Sequence, residues 1–187
     1  MSEQKPIGSR FNAASTAHDV VAEMDLSGKT AVVTGGYSGL GIETTRALAG
    51  AGATVIVPAR NGEKAQRTLA GIERVIIETM DLADPASVAA FANRMVANDT
   101  PISILVNSAG IMATPLARDA NGHENQFATN HLGHFRLVAG LWPALLKANG
   151  ARVISVSSRG HQIAPVDFDD IDFRKRAYDK WQAYGQA

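Results

Sequence analysis

The sequence predicts an α/β protein built on a doubly wound parallel sheet, and three observations carry that expectation. Short β-branched runs alternate with longer stretches of helical periodicity. The runs are apolar on both faces, as strands covered by helices on each side must be. A glycine-rich loop follows the first run and opens the first long helical stretch. Right-handed crossovers then leave a doubly wound sheet as the natural arrangement.

The strands are expected at residues 30–34 (TAVVT), 54–57 (TVIV), 74–78 (RVIIE), 102–106 (ISILV) and 152–156 (RVISV). Helices are expected near residues 40–49, 62–70, 85–97 and 122–147, the last with room for an interruption. Asp84 followed by Pro85 makes a strong start for the third, a capping carboxylate and then proline at the first helical position. Residues 1–25 read as a preamble in which Ser15 or Thr16 caps a short helix ending near Met24. No repeat, low-complexity tract or linker divides residues 26–187, which are expected to form one domain.

Composition narrows the function. A chain of 187 residues suits a single core, and a domain of this size buries roughly 70% of its unfolded surface. Lys plus Arg equals Asp plus Glu, 18 each, and no block of like charge stands out, which argues against a nucleic-acid partner or a charged interaction tail. The absence of Cys excludes disulfides, thiolate catalysis and zinc held by sulfur. Residues 1–10 are polar and lack the apolar stretch of a signal peptide. The longest run free of polar residues, 137–146, contains Pro143 and has the length of a buried helix segment, too short for a membrane span. A soluble, cytoplasmic protein with no membrane partner is the expectation.

The sharpest local signal is Thr34-Gly35-Gly36-Tyr37-Ser38-Gly39-Leu40-Gly41. Glycines permit positive φ and let backbone approach a ligand closely. A helix opening near Leu40 would aim unpaired N–H groups and the positive end of its dipole at a pyrophosphate. An ordinary glycine-rich turn is the plainer reading of such a string alone. Strand, loop, helix and second strand in the right order favour a dinucleotide loop. Gly35, Gly39 and Gly41 give G-x-x-x-G-x-G, whereas the common fingerprint is G-x-G-x-x-G.

The form T-G-x-x-x-G-x-G resembles that of the short-chain dehydrogenase/reductase family, whose sheet is Rossmann-like. Other strings match that family in order. Asp81 and Leu82, just after the third strand, resemble the pair whose aspartate meets the adenine ring. Asn107-Ser108-Ala109-Gly110 looks like the family's N-N-A-G element, which places Asn107, Ala109 and Gly110 at the cofactor. Asn130 matches the asparagine that holds a water in the family's proton relay, Ser158 the serine that bonds the substrate oxygen, and Tyr184 the acid/base. Ser158 and Tyr184 lie 26 positions apart, a longer gap than in the shortest members. That gap, with Asn-His-Leu-Gly-His-Phe at 130–135 and Ser-Ser-Arg-Gly-His at 157–161, resembles the retinol-dehydrogenase-like branch.

The resemblance implies hydride transfer between a nicotinamide and an alcohol, aldehyde or ketone of small size. The cofactor is expected to be NADP, with NAD disfavoured. An NAD site wants a carboxylate at the end of the second strand, and here Ala59 is neutral and Arg60 follows, a guanidinium suited to a 2′-phosphate. A tyrosine acid/base also needs help, because a free phenol has a pKa of about 10. In the family a lysine four positions later supplies it. That position falls just past Ala187, so the chain is expected to be incomplete at its C-terminal side, with later strands and helices missing, and inactive as given. The intact protein is expected to form a homo-oligomer through the helix carrying Tyr184.

Plainer readings stand beside these. Ser158 could be a local cap, and Tyr184 a surface aromatic beside Trp181. His131 and His134 are read as helix contacts and Asp169, Asp170 and Asp172 as part of an alternately packed and solvated loop, so no metal is expected. A non-catalytic dinucleotide sensor on the same fold is the alternative. A methyltransferase fits less well, because Pro58-Ala59-Arg60 lacks the acidic residue such a site uses for ribose hydroxyls.

Overall fold

The computed structural model describes residues 8–187, so the polar opening, residues 1–7, lies outside the described residues. Five parallel strands form one sheet in the order β3-β2-β1-β4-β5. They are β1 (Thr30–Val33), β2 (Thr54–Ala59), β3 (Val75–Thr79), β4 (Ile104–Asn107) and β5 (Arg152–Ser155). The helices between them are α2 (Gly39–Gly50), α3 (Gly62–Leu69), α4 (Pro85–Ala97), α5 (Asn125–Phe127) and α6 (His134–Lys147). A short α1 (Ala17–Val21) precedes β1, and α7 (Lys180–Gln186) follows β5.

The strand order reverses between β1 and β4. At such a point two crossovers leave in opposite directions and open a crevice at the carboxyl ends of the strands. Two apolar clusters flank the sheet: Phe91, Leu105, Leu137 and Leu141 on one side, Val33, Val55, Val57 and Leu69 on the other. β1 and β4 contribute to both, because alternate residues of a buried strand face opposite layers. The margins differ from the expectation of strands apolar on both covered faces. β3 is only partly buried, and β5, paired with β4 alone, is exposed along its length.

Element boundaries follow hydrogen bonds that the sequence pattern does not contain. The fourth strand begins two residues later than expected, because the Ile102 N–H donates to the Ala144 carbonyl on α6. The short first helix is capped by Thr16, whose hydroxyl and Asp19 form a reciprocal capping box; the Ser15 hydroxyl instead accepts from the Asn12 N–H. Asp84 caps α4 as expected, with Pro85 in the first turn. The stretch expected as one helix over 122–147 divides into α5, a π-turn over Ala128–Gly133, and α6, which runs through Pro143. Among the described residues, no helix is long and apolar enough to cross a membrane.

Candidate active site and cofactor cleft

The glycine loop sits where β1 meets its crossover to α2. Gly35 takes φ 66°, a left-handed conformation, and a Cβ there would come within 2.9 Å of the Ala109 Cα. The loop thus packs directly on the turn after β4. A Cβ on Gly41 would collide with the Gly35 carbonyl, so the first turn of α2 is pressed against the loop it caps. The Thr45 hydroxyl donates to the Gly36 carbonyl at 2.8 Å and fixes that contact. Ser38 occupies the N-cap of α2 without a side-chain capping bond, which leaves the orphan N–H groups of the first turn to another acceptor.

A cleft of about 420 Å³ opens beside this loop. Gly35, Tyr37, Ser38, Gly39, Leu40 and Gly41 line one side, and Ala109 and Gly110 another. Arg60, Asp81 and Leu82 line it from the ends of β2 and β3. Asp81 is held by the turn it begins: its carboxylate accepts from the Ala83 N–H at 3.0 Å, and its own N–H donates to the Ser87 hydroxyl at 2.9 Å. Lys64, which sequence reasoning missed, also lines the cleft; its ammonium lies 5.9 Å from the centre of the Tyr37 ring. Asn61 caps α3 by accepting from the Lys64 N–H at 2.9 Å, so the lysine stands in the first turn of the helix that follows Arg60. The signal was available in the string Arg60-Asn61-Gly62-Glu63-Lys64.

A second cleft of about 670 Å³ adjoins the first. Asn107, Asn130, Ser157, Ser158 and Tyr184 line it, with His131, His134 and His161. The two clefts share Ser108, Ala109, Gly110, Ile111 and Val156. Asn130 grips the shared wall: its carboxamide oxygen accepts from the Ile111 N–H and its amide donates to the Ile111 carbonyl, both at 2.9 Å. Among the described residues, the buried carboxamide oxygen of Asn107 has no hydrogen-bond partner, while its amide reaches the Ser155 hydroxyl at 3.4 Å.

Ser158 combines both of its readings. Its hydroxyl oxygen caps a short 3₁₀ turn (Arg159–Gln162) by accepting from the Gly160 N–H at 3.0 Å. A hydroxyl has one donor and two acceptor positions, so its proton and a second lone pair stay free for another partner. Tyr184 lies on α7 with its ring against Gly160, where an added Cβ would stand 2.5 Å from the ring edge. The glycine thus lets the tyrosine lie close to the serine's own turn.

The segment between them is clamped and folds inward at unexpected places. Asp170 is buried and accepts from the N–H groups of Arg174, Lys175 and Arg176. Burial pushes its carboxyl up, but those bonds and the nearby Arg176 guanidinium outweigh burial and hold it below the usual carboxylate range. Phe173 is buried with it, whereas Phe168 is exposed. The simple alternation expected from the sequence fails here because the acid, and not the aromatic ring, organises the turn. Tyr178 ties the segment to α5 by donating to the Glu124 carboxylate at 3.1 Å and accepting from the Gln126 amide at 3.0 Å. His131 stacks on Phe127, their centroids 5.0 Å apart, and His134 bonds to Thr34 and Asn130.

Comparison with known proteins agrees with this arrangement. The family described as short chain dehydrogenase matches residues 29–166. A "Probable oxidoreductase" of Streptomyces antibioticus is 53% identical over 171 residues, covering 88% of this chain and 56% of that protein. "Retinol dehydrogenase 12" of Mus musculus is 36% identical over 170 residues, covering 88% of this chain and 54% of its own. The chain therefore spans about half the length of these curated relatives. The crystal structure of an uncharacterised protein from Mycobacterium paratuberculosis superposes with a TM-score of 0.82 at 38% identity, covering 92% of this chain and 60% of that one. The family match over residues 29–166, relatives 36–53% identical and the five-stranded parallel sheet place the chain in the short-chain dehydrogenase/reductase family, on its retinol-dehydrogenase-like side.

Proposed function

We propose that the protein binds NADP(H) in the smaller cleft and transfers a hydride between the nicotinamide and a carbinol or carbonyl carbon held in the larger one. The observation that carries this reading is the shared wall of the two clefts, residues 108–111, where a ring bound in one would meet a substrate bound in the other. The first turn of α2 and the glycine loop would hold the pyrophosphate. Arg60, just after β2 where an NAD-preferring site would carry a carboxylate, and Lys64, in the first turn of α3, give the cleft two cations, and this supports recognition of a 2′-phosphate. When bound, the nicotinamide supplies or accepts the hydride.

The chain's own residues would handle the proton. In the reducing direction Tyr184 gives its hydroxyl proton to the carbonyl oxygen as that oxygen gains charge, and the phenol recovers a proton from solvent. The Ser158 hydroxyl, its oxygen fixed by Gly160, donates a hydrogen bond to the same oxygen. Asn130 keeps the shared wall in place through Ile111. Small alcohols, aldehydes and ketones are the proposed substrate class.

The test is NADPH oxidation by the protein against a panel of aldehydes and ketones. Tyr184→Phe should abolish turnover while cofactor binding stays nearly unchanged. Ser158→Ala should reduce turnover strongly, and Ser157→Ala much less. Substantial turnover in Tyr184→Phe would remove the proposed acid/base, and cofactor binding with no turnover in the wild type would favour a dinucleotide sensor.

A further inference from the structure

We infer that His134 is a positioning residue that locks the glycine-loop end of β1, the turn after β4 and the Asn130 π-turn together, as a neutral ring with its proton on Nδ1. Donor–acceptor matching assigns the tautomer. Nδ1 lies 2.7 Å from the Asn130 carbonyl oxygen, which can only accept, so Nδ1 carries the hydrogen. Nε2 lies 2.9 Å from the Thr34 hydroxyl oxygen. That oxygen already accepts from the N–H groups of Ser108 at 2.9 Å and Ala109 at 3.0 Å, which fills both lone pairs. The hydroxyl's single hydrogen points to Nε2, because its other acceptor, the Val106 carbonyl, is 3.4 Å away.

The ring therefore joins three pieces of the site through one chain of bonds. Thr34 immediately precedes Gly35, Ser108 and Ala109 begin the wall shared by the clefts, and Asn130 holds Ile111, two residues further along that wall. A proton on Nε2 would face a hydroxyl oxygen with no lone pair left, and Thr34 would have to release one N–H. His134 is buried, and burial lowers its pKa, outweighing the bond to the Asn130 carbonyl; neighbouring His131 lowers it further. β1 and the turn after β4 present Thr34, Ser108 and Ala109 to the ring, none of them charged, and its own turn presents His131. Only the effect on cofactor affinity rests on the function proposed above.

Nitrogen NMR of the histidine rings in the wild-type protein reads the state directly. His134 should show a protonated Nδ1 and a bare Nε2, and should remain neutral at about pH 6.5, where an ordinary imidazole is half protonated. Amide exchange reads the positioning. His134→Phe keeps the bulk and removes both bonds, and should speed exchange at Ser108, Ala109 and Ile111 by about tenfold. His134→Gln presents a carboxamide oxygen to Thr34 and should restore slow exchange at Ser108 and Ala109. NADPH affinity should fall by about tenfold in His134→Phe and recover in His134→Gln. A proton on Nε2, a ring half protonated at pH 6.5, or equal exchange in the Phe and Gln variants would overturn the inference. If His134→Phe fails to fold, the wild-type ring spectrum decides it. A wild type that does not bind NADPH would sink the proposed function, while ring state and amide exchange would still decide the role of His134.

Discussion

A single methyl group on Gly41 should damage both stability and cofactor binding, while the same change nine residues along the same helix should not. The added Cβ on Gly41 would strike the Gly35 carbonyl and come within 3.2 Å of the Gly36 Cα. These are backbone atoms of a loop fixed by Thr45 and by the turn after β4, so no flexible side chain can yield. Overpacking of this kind costs about 1–3 kcal/mol, against which alanine's better helix propensity offsets up to about 1 kcal/mol. A net loss of about 1–2 kcal/mol in a domain of this size lowers the melting temperature by roughly 2–8 °C. Gly50 ends α2 with nothing within 4 Å of its added Cβ, so Gly50→Ala should melt at or slightly above the wild type. Thermal melting with and without NADPH measures both terms. The opening of the loop should also weaken NADPH binding by tenfold or more in Gly41→Ala. Wild-type melting and affinity in Gly41→Ala would refute the close packing of loop on helix.

Three further predictions follow from the site. Gly160→Ala pushes a methyl into the Tyr184 ring, so it should reduce turnover with little change in NADPH affinity; unchanged turnover would show that the ring position is not critical. Asp170→Ala removes the acceptor for three consecutive N–H groups, so trypsin should cut after Arg174, Lys175 or Arg176 faster than in the wild type, and equal cleavage rates would contradict the clamp. The lowered pKa of His134 makes stability depend on pH in a defined direction. Below the unfolded value of about 6.5 the unfolded chain takes up a proton that the folded chain refuses. Its contribution is therefore full above pH 6.5 or so and is lost as pH falls from there toward the folded value. Urea unfolding should show that slope in the wild type and a shallower one in His134→Gln, and identical slopes would exclude the ring as its source.

The parallel sheet and the glycine loop at its switch point were legible because they depend on local chemistry. β-branched runs such as TAVVT and TVIV make strands wherever both faces are covered, Gly35 and Gly39 take positive φ, and Gly41 has no room for a Cβ beside the Gly35 carbonyl. Asp84-Pro85 starts a helix for reasons contained in those two residues. What the sequence hid depends on partners far along the chain. The π-turn at Ala128–Gly133 coincides with bonds from Asn130 to Ile111, and no periodicity in 122–147 announces them. His134 carried no signal of its role, because its partners Thr34 and Asn130 come together only in the folded protein. The inward turn of Asp170 likewise needed the three amides that follow it, which a pattern of apolar and polar residues does not register. Lys64 was readable in principle, since Asn61 is a helix-cap residue and a cation in the first turn that follows stays near Arg60 at the end of β2.

The proposed recognition of NADP(H) by its 2′-phosphate in the smaller cleft is tested most directly by the dissociation constants of NADPH and NADH, measured by calorimetry on residues 1–187. Hydrogen bonds to a charged group contribute about 1.5–3 kcal/mol each, so NADPH should bind at least about tenfold tighter than NADH. Arg60→Ala should remove most of that difference and Lys64→Ala a smaller part. Equal or tighter binding of NADH, or a preference for NADPH that survives Arg60→Ala undiminished, would contradict the account.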